Sequence, residues 1–323
     1  MQTAHIIGAN ESPVRNFGTF TRGEAKLAKR FSYRGLRVHR DDNGLSDDVI
    51  REIAPSVFAT EARDDRSARY SFLDTAGFMS GMRDNGFLPV HVAQSGVRAR
   101  KDETPDRLAH RQEHTMHFLR FRYQGAMSAA LQALAREGEH FEVVIINSHG
   151  GESGWQILPG LFRGVCQNGL ISGNSLADIR IRHSGNAVDK VLEGAHQILK
   201  LRDGVAEERD TFAHLQLTSG EQTAFARAAV ALRFHDNITE GRPVPVRTEQ
   251  FLEPLRNEDA AISNTLWGTL NIVQEHAIKG GDRKQVNPRK REHTRPVNAQ
   301  NTATALNRAL WVLAQEMAAL RAG

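Results

Sequence analysis

Residues 147–173, NSHGGESGWQILPGLFRGVCQNGLISG, bring a histidine, serines, a glutamate and the only cysteine of the chain into one Gly-rich stretch. Covalent catalysis would need Ser153 or Cys166 within hydrogen-bond reach of His149, with a third group orienting the histidine. Ser153 does not stand in a G-x-S-x-G elbow. Cys166 falls inside the apolar run LFRGVC, where a cysteine behaves as a small hydrophobic side chain. We therefore expect no catalytic residue in this stretch.

The histidines do not match a metal site. A zinc site would have to recruit His114, His117 and His149, but residues three apart on a strand point to opposite faces. The chain has no H-E-x-x-H or C-x-x-C motif, and the turn SHGGESG lacks the Lys-Ser/Thr pair of a phosphate-binding loop. Its glycines are better explained as turn formers between two strands. We expect neither a metal nor a cofactor.

A second pattern, Arg-x-Arg, occurs in three segments that are predicted to be strands. Residues two apart on a strand point to the same face, so each pair places two guanidinium groups side by side. Strands sharing one sheet would form a basic face with interleaved aromatics, which suits phosphate oxygens and unpaired bases. The alternative is an ordinary solvated face whose arginines pair with nearby acids. The predicted nucleic-acid-binding residues of this face are Arg98, Arg100, Lys101, Arg120, Arg122, Tyr123, Arg180 and Arg182.

Basic residues are also concentrated in the segment KGGDRKQVNPRKREHTRP, within residues 279–300. Its Gly, Pro and charge content predicts a mobile loop. A mobile basic loop contacts phosphates without reading base sequence. A solvated linker between helices is the alternative. The predicted nucleic-acid contacts in this loop are Lys279, Arg283, Lys284, Arg289, Lys290, Arg291 and Arg295.

Charge is distributed unevenly along the 323 residues. Residues 1–40 hold eight Lys or Arg against two acids, and residues 279–295 hold seven against two. Residues 41–278, by contrast, hold 25 against 33. Basic ends on an acidic body indicate an anionic partner, and nucleic acid is the usual one. Basic ends that only aid solubility are the alternative.

Apolar periodicity predicts an α+β fold, with an antiparallel sheet core and packed helices, followed by a helical C-terminal half. We expect a basic N-terminal arm at 1–44, the α+β core at 45–185 and a helical region at 186–323. The predicted strands are 87–101, 114–123, 140–148, 154–158 and 177–185. The predicted helices are 45–59, 74–86, 127–138, 159–169, 219–234, 259–279 and 301–320, with Trp267 and Trp311 expected in the core.

The composition of the chain indicates the cellular compartment in which the protein works. No window approaches the roughly 18 consecutive apolar residues that a membrane-spanning helix needs. The first residues lack the charged start and apolar run of a signal peptide, and one cysteine cannot form an internal disulfide. These features predict a cytoplasmic protein in a reducing compartment, with no membrane partner.

Several blocks resemble one protein family. Among them are NSHGGESGWQILPGLFRGVCQNGLISG, IRIRHSGNAVDKVLEGAHQIL, TLWGTLNIVQEHAIKGG and LNRALWVLA. From about residue 27 to 315, in order, the chain resembles the YubP/YafZ/YfjQ-type family of conjugative-plasmid and prophage proteins, built on a domain of unknown function. The resemblance supplies no catalytic residues. It makes the Gly-rich stretch the hairpin-and-helix centre of the domain, with Asn147, Ser148 and His149 as candidates for a role at the surface.

The setting of that family implies mobile-element DNA metabolism and leaves two hypotheses. The first is a non-enzymatic DNA-binding protein that prefers single strands, could anneal them, and works as a homo-oligomer. The second is an anti-defence or anti-SOS protein that inhibits a host factor, its acidic body covering a basic surface. An enzyme is a weaker interpretation, because the chain lacks the paired carboxylates of a metal nuclease at recognisable spacing.

Overall fold

The computed structural model describes residues 37–66, 70, 72–163, 179–181, 187–285, 292–297 and 300–322. The chain divides into two compact units. The first consists of Met1–Leu161 and Ser175–Arg202, and the second of Phe162–Asn174 and Asp203–Gly323. The helix at 187–199, which the sequence pattern assigns to the helical C-terminal region, therefore belongs to the first unit.

Six strands form one sheet and lie in it in chain order: Arg37–Arg40 (β1), Phe87–Gln94 (β2), Met116–Tyr123 (β3), Glu139–Ser148 (β4), Trp155–Arg163 (β5) and Ile179–Ile181 (β6). The pairs β1/β2, β2/β3, β3/β4 and β5/β6 are antiparallel. Pro89 stands in β2 next to an irregularity of the register. A residue without an N–H is tolerated in a strand at such a point.

The α-helices described in the first unit are Asp47–Ile53 (α1), Thr75–Asp84 (α2), Pro105–Gln112 (α3), Ala129–Arg136 (α4) and Ala187–Leu199 (α5), with a 3₁₀ turn at Pro55–Phe58. Ser46 accepts a hydrogen bond from the Val49 N–H and caps α1, as its position in the sequence predicts. Helix α2 follows Asp74 and stops before Gly86, whose φ of +79° ends a helix without strain. Both predicted helix ends are confirmed.

Helix α2 packs on one face of the sheet. The ring of Phe78 meets Phe121 edge-on at 6.1 Å and Trp155 at 4.9 Å between centroids. All three are buried, and each such aromatic pair contributes about 0.5–1.5 kcal/mol beyond its buried area. His117 lies four residues before Phe121 on β3, so it faces the same side of the sheet.

The α-helices described in the second unit are Arg202–His214 (α6), whose first residue still belongs to the first unit, Ser219–Arg233 (α7), His235–Thr239 (α8), Asn257–Ala261 (α9), Leu266–Lys279 (α10) and Gln300–Ala322 (α11), with a 3₁₀ turn at Thr248–Leu252. Helix α10 is its centre, because every residue from 266 to 278 is buried. Trp267 and Trp311 are buried and meet edge-on at 6.3 Å. The prediction that both are core residues is confirmed.

The predicted fold class is confirmed by the antiparallel strand pairs, the packed helices and the helical C-terminal half. The predicted helices at 219–234, 259–279 and 301–320 correspond to α7, to α9 with α10, and to α11. Among the described residues, no helix combines the length and the apolar character needed to cross a membrane.

Two local predictions are wrong, and one helix has no predicted counterpart. Residues 159–163 continue β5 instead of starting a helix, because a run of buried apolar residues carries no periodicity that separates strand from helix. Helix α3, between β2 and β3, is not among the predicted helices; Pro105 stands in its first turn, where a missing N–H costs nothing. Strand β2 ends at Gln94, so residues 95–101 leave the sheet.

Several predicted features lie outside the described residues. These are residues 1–36 of the N-terminal arm, residues 164–169 of the predicted helix with Cys166, and the basic residues Arg182, Arg289, Lys290 and Arg291.

Candidate functional site

Arg120 and Arg122 lie on one face of β3, as the strand period predicts, but this face is not a basic surface. Glu142 of β4 stands between them, with Oε2 2.9 Å from Arg120 Nε and Oε1 2.8 Å from Arg122 Nη2. Arg122 Nη2 also donates to Asp42 Oδ1 at 2.9 Å. The side chain of Arg120 is 2% exposed and that of Glu142 is 0% exposed. The two arginines therefore belong to a buried ion network; of the third pair, Arg180 lies in β6.

Burial determines what Arg120 can do. It lowers the pKa of Arg120 to about 10, while the charge of Glu142 acts in the opposite direction. The guanidinium is still cationic at neutral pH. A phosphate could reach it only by displacing Glu142 and opening the sheet face, so the burial of Arg120 argues against the predicted contact with nucleic acid.

The aromatic side chains predicted to stack on bases are occupied by the protein itself. Tyr123 packs against the ring of Phe87 at 5.2 Å, and the guanidinium of Arg202 lies 5.7 Å from the Tyr123 ring centroid. Phe118 and Phe121 are buried. The sheet face therefore presents neither the arginine pair nor the aromatic platform that binding of unpaired bases would require.

Arg98, Arg100 and Lys101 follow β2 in a loop instead of standing on the sheet, and all three are exposed. Arg111 of α3 anchors this loop. Its Nε and Nη2 donate to the Glu103 carboxylate at 2.7 and 2.6 Å, and its Nη2 also donates to the Arg98 carbonyl at 2.9 Å. The hydrogen bond from Arg111 lowers the pKa of Glu103. The three basic side chains thus remain accessible on a loop with a fixed backbone.

The Gly-rich turn between β4 and β5 is held by a distant loop. Arg63 Nη2 donates to the Gly150 carbonyl at 3.2 Å, and Tyr70 Oη donates to the Ser148 carbonyl at 2.9 Å. Burial raises the pKa of Tyr70 to about 12, so its hydroxyl keeps its proton at neutral pH. Gly151 has a φ of +72°, which glycine adopts without strain. The prediction that these glycines form a turn between strands is confirmed.

Beneath this turn, two histidines share one threonine hydroxyl. Thr75 Oγ1, in the first turn of α2, is 3.1 Å from His149 Nε2 and 3.2 Å from His117 Nε2. Asn147 Nδ2 donates to the same oxygen at 3.0 Å. All four side chains are buried. Residues from β3, β4, α2 and the turn therefore converge on a single oxygen in the interior of the first unit.

The second nitrogen of His117 extends this network. His117 Nδ1 is 3.0 Å from Ser56 Oγ, which in turn lies 2.6 Å from Gln94 Oε1. The Gln94 amide is oriented from both ends, because its Nε2 donates to the Gln112 carbonyl at 2.9 Å and its Oε1 accepts from the Ser56 N–H at 3.0 Å. The Ser56 hydroxyl must therefore donate to Gln94 and accept from the His117 Nδ1–H.

With this orientation, His117 does not activate Ser56 as a nucleophile. A catalytic serine donates its proton to a histidine nitrogen that lacks one, whereas Ser56 accepts a proton from His117. Ser153 donates to the Gly154 carbonyl at 2.8 Å, so its proton is not directed at a histidine either. The network instead ties the Gly-rich turn to α2 and to the 3₁₀ turn.

Asn147, Ser148 and His149 are each 0% exposed. The expectation that they act at the surface is therefore wrong, because α2 and the loop of Arg63 cover the turn. The contacts of the buried network could not be found from local sequence: Ser56 is 61 residues from His117, and Thr75 is 74 residues from His149. Among the described residues, no group of three or more His, Cys, Asp or Glu side chains is arranged to hold a metal ion.

In the second unit, the basic segment begins and ends as a short antiparallel stem. We call residues 280–285 and 292–297 the basic stem. Backbone hydrogen bonds join its halves: Lys284 N to Glu292 O at 2.8 Å, Thr294 N to Asp282 O at 2.8 Å, and Gly281 N to Thr294 O at 3.0 Å. The described parts of the segment are thus joined by backbone hydrogen bonds around one isolated antiparallel bridge, Arg283 to His293.

Neighbouring elements hold the basic stem in place. Arg233, the last residue of α7, donates from Nη2 to the Arg295 carbonyl at 3.0 Å. Gln250 Nε2 donates to the Arg283 carbonyl at 3.2 Å. The side chains of Arg283 and Arg295 are exposed, and Lys284 is partly exposed. The stem therefore carries cationic side chains at the surface on a backbone fixed from both halves.

Lys279 has a carboxylate partner, as does Lys284 of the stem, which lies 3.3 Å from Glu292. Lys279 is the last residue of α10 and pairs with Glu275 one turn earlier. The Glu275 carboxylate also accepts from Arg256 Nη2 at 2.6 Å. The hydrogen bonds from Lys279 and Arg256 outweigh the effect of burial and lower the pKa of Glu275. The charge of Lys279 is therefore largely balanced within the protein.

The protein thus combines an α+β sheet unit that has a buried polar network with a helical unit that carries a basic stem. The chain belongs to the family described as Domain of unknown function (DUF932), whose model matches residues 64–311. The family resemblance is thereby confirmed.

Two relatives come from Escherichia coli (strain K12). The chain is 37% identical over 292 residues to the UPF0380 protein YafZ and 36% identical over 292 residues to the UPF0380 protein YfjQ. Each alignment covers 90% of this chain and 97% of the relative. No solved structure matches.

Proposed function

We propose that this protein binds DNA through the phosphate backbone, and that exposed basic segments rather than the sheet face make the contacts. The basic stem is the observation that carries the proposal. It holds cations at the surface on a hydrogen-bonded backbone: Arg283, Lys284 and Arg295. The anchored loop after β2 supplies a second exposed set: Arg98, Arg100 and Lys101.

Fixed backbones favour such contacts. A cation on an ordered loop loses less conformational freedom on binding than one on a disordered chain. Phosphate contacts by Lys and Arg release counterions from DNA, so affinity falls steeply as salt rises. Contacts of this kind do not read base sequence. Because the aromatic residues of the sheet are occupied, we expect little of the preference for single strands that base stacking would give.

The test is fluorescence anisotropy with a labelled single-stranded oligonucleotide and its duplex, at about 50 and 200 mM salt. One variant replaces Arg283, Lys284 and Arg295 of the basic stem with Gln, and a second replaces the three cations of the loop after β2. The matched control removes the same charge elsewhere, at exposed positions Arg136, Lys190 and Lys200. A further variant neutralises Arg289, Lys290 and Arg291, which the sequence places between the halves of the stem.

Each cation that binds a phosphate should, when it is neutralised, reduce the steepness of log affinity against log salt by about 1. The stem variant should therefore show a slope that is shallower by about 2–3, while the control should keep the parent slope. Absence of binding to either oligonucleotide at the lower salt would end the proposal. Capture of a host protein would then support inhibition of a host factor instead, and light scattering would test the expected homo-oligomer.

A further inference from the structure

A histidine and an aspartate are buried together at the base of the basic stem. His276, in the last turn of α10, and Asp282, in the stem, are each 4% exposed. His276 Nδ1 is 2.6 Å from Asp282 Oδ1, and its Nε2 is 2.8 Å from the Glu253 carbonyl oxygen. The ring of Phe251 stacks on the imidazole at 5.6 Å. Both ring nitrogens thus face oxygen atoms in a largely dry site.

The two contacts define the protonation of His276. A backbone carbonyl only accepts hydrogen bonds, so His276 Nε2 must carry a proton. An ionised Asp282 also only accepts, so Nδ1 must carry one as well. The ring with both protons is the imidazolium ion, and its hydrogen bond to a carboxylate is of the strong, charge-assisted kind.

Asp282, in one half of the stem, is hydrogen-bonded to Thr294 in the other half. Its backbone N–H donates to Thr294 Oγ1 at 3.0 Å, and its carbonyl accepts from the Thr294 N–H at 2.8 Å. The Thr294 hydroxyl donates to Asp282 Oδ2 at 3.3 Å. Nearby, the Val297 N–H donates to the Ile278 carbonyl at 2.7 Å. The His276–Asp282 pair therefore lies where the stem joins α10.

We propose that His276 and Asp282 form a pH-sensitive latch that fixes the basic stem on α10 while the histidine is protonated and loosens it when the proton leaves. Neutral imidazole has one N–H and cannot satisfy both Asp282 and the Glu253 carbonyl. The latch itself rests on these contacts alone. Its consequence, that DNA binding by the stem weakens at alkaline pH, rests on the proposed function.

The charges around His276 set the direction of the effect. Burial by itself favours the neutral ring, but the hydrogen bonds to Asp282 and Glu253 outweigh it, and the pKa of His276 is raised. Glu275 acts in the same direction and is itself held by Lys279 and Arg256. A histidine with a raised pKa stabilises the fold fully below its ordinary pKa of about 6.5. That contribution is lost as pH rises through the raised value.

Hydrogen exchange of the full-length protein tests the latch without DNA. The amides of Lys284, Thr294 and Val297 would be followed at about pH 6 and about pH 9, corrected for the intrinsic rate. We expect their protection to fall about tenfold at the higher pH, the factor that loss of one charge-assisted hydrogen bond gives. His276→Gln should show the lower protection at both values.

His214→Gln is the matched control, because His214 lies 3.6 Å from Asp210 but is 79% exposed; it should behave as the parent. Protection that stays constant with pH in the parent protein, or that survives His276→Gln, would overturn the latch. Should His276→Gln fail to fold, nitrogen-detected NMR of the parent decides: both His276 nitrogens must be protonated at neutral pH. A stem that loosens with pH while DNA affinity stays constant would support the latch and refute the role of the stem in DNA binding.

Discussion

Replacing Glu142 with Gln should strongly destabilise the sheet of the first unit. Glu142 is fully buried and contacts Arg120 and Arg122 at once. The substitution keeps the size of the side chain and removes its charge. Arg120, only 2% exposed, would then be a buried cation without that carboxylate beside it. The experiment therefore isolates the electrostatic part of the network.

The size of the expected destabilisation follows from the burial of Arg120 and Glu142. Removing one partner of a buried ion pair costs about 3–5 kcal/mol, because the remaining charge stays desolvated. We expect Glu142→Gln to lower the free energy of unfolding by about 3 kcal/mol, since the Gln oxygen still accepts one hydrogen bond. Asp42→Asn is the control, because it keeps the size of the side chain and leaves Glu142 in place. Asp42 is 51% exposed and its partner Arg122 is 15% exposed. Such a partly solvated pair is worth about 1 kcal/mol or less.

Urea denaturation, monitored by hydrogen exchange in peptides from β3 and β4, would measure the loss of stability of this sheet directly. A destabilisation of about 3 kcal/mol lowers the midpoint by roughly 1 M or more. The double variant Arg120→Met/Glu142→Leu should recover most of that stability, because neither charge is left alone. A Glu142→Gln midpoint equal to that of Asp42→Asn would refute the reasoning and show that the Arg120 site is hydrated.

Two other substitutions test the packing of each unit. Thr75→Val keeps the shape of the side chain but removes the hydroxyl shared by His117, His149 and Asn147. In a urea titration it should lower the free energy of unfolding by about 2 kcal/mol or more, whereas Thr75→Ser, which keeps the hydroxyl, should lower it clearly less. Gly268→Ala would place a Cβ against the backbone of the residues preceding α10, and thermal unfolding should show a loss of stability of about 1–3 kcal/mol. Gly204→Ala is the control: a Cβ there meets open space, so the substitution should be neutral or stabilising.

Much of the fold can be predicted because its signals are local. Strand β4 is an apolar β-branched run, and the ends of α1 and α2 carry capping and stop residues that act within a few positions. The full length of strand β5 is hidden from the sequence because its apolar run shows no alternation. Helix α3 is hidden for a different reason, since a mainly polar helix has little apolar periodicity to detect.

The candidate site can be predicted only in part. The strand period correctly places Arg120 and Arg122 on one face, but it cannot show which residue lies opposite. One signal is present: Glu142 interrupts the apolar strand FEVVIINS, and a carboxylate in such a strand predicts a cation or hydrogen-bond donors beside it. The partners of Thr75 and Ser56 carry no comparable signal, since they depend on contacts between residues that are 61 and 74 positions apart.

Sequence separation also explains which cations the fold can balance with distant acids. Arg122 is balanced by acids 20 and 80 residues away, which the fold of the first unit brings to it. The basic stem holds three cations and two acids: Glu292 pairs with Lys284 at 3.3 Å, and Asp282 contacts His276. The acids of the stem therefore cannot balance all of its cations. A run of basic residues in an ordered connection is therefore better evidence for a polyanion surface than arginines alternating on a strand, where the neighbouring strand can supply the counter-charge.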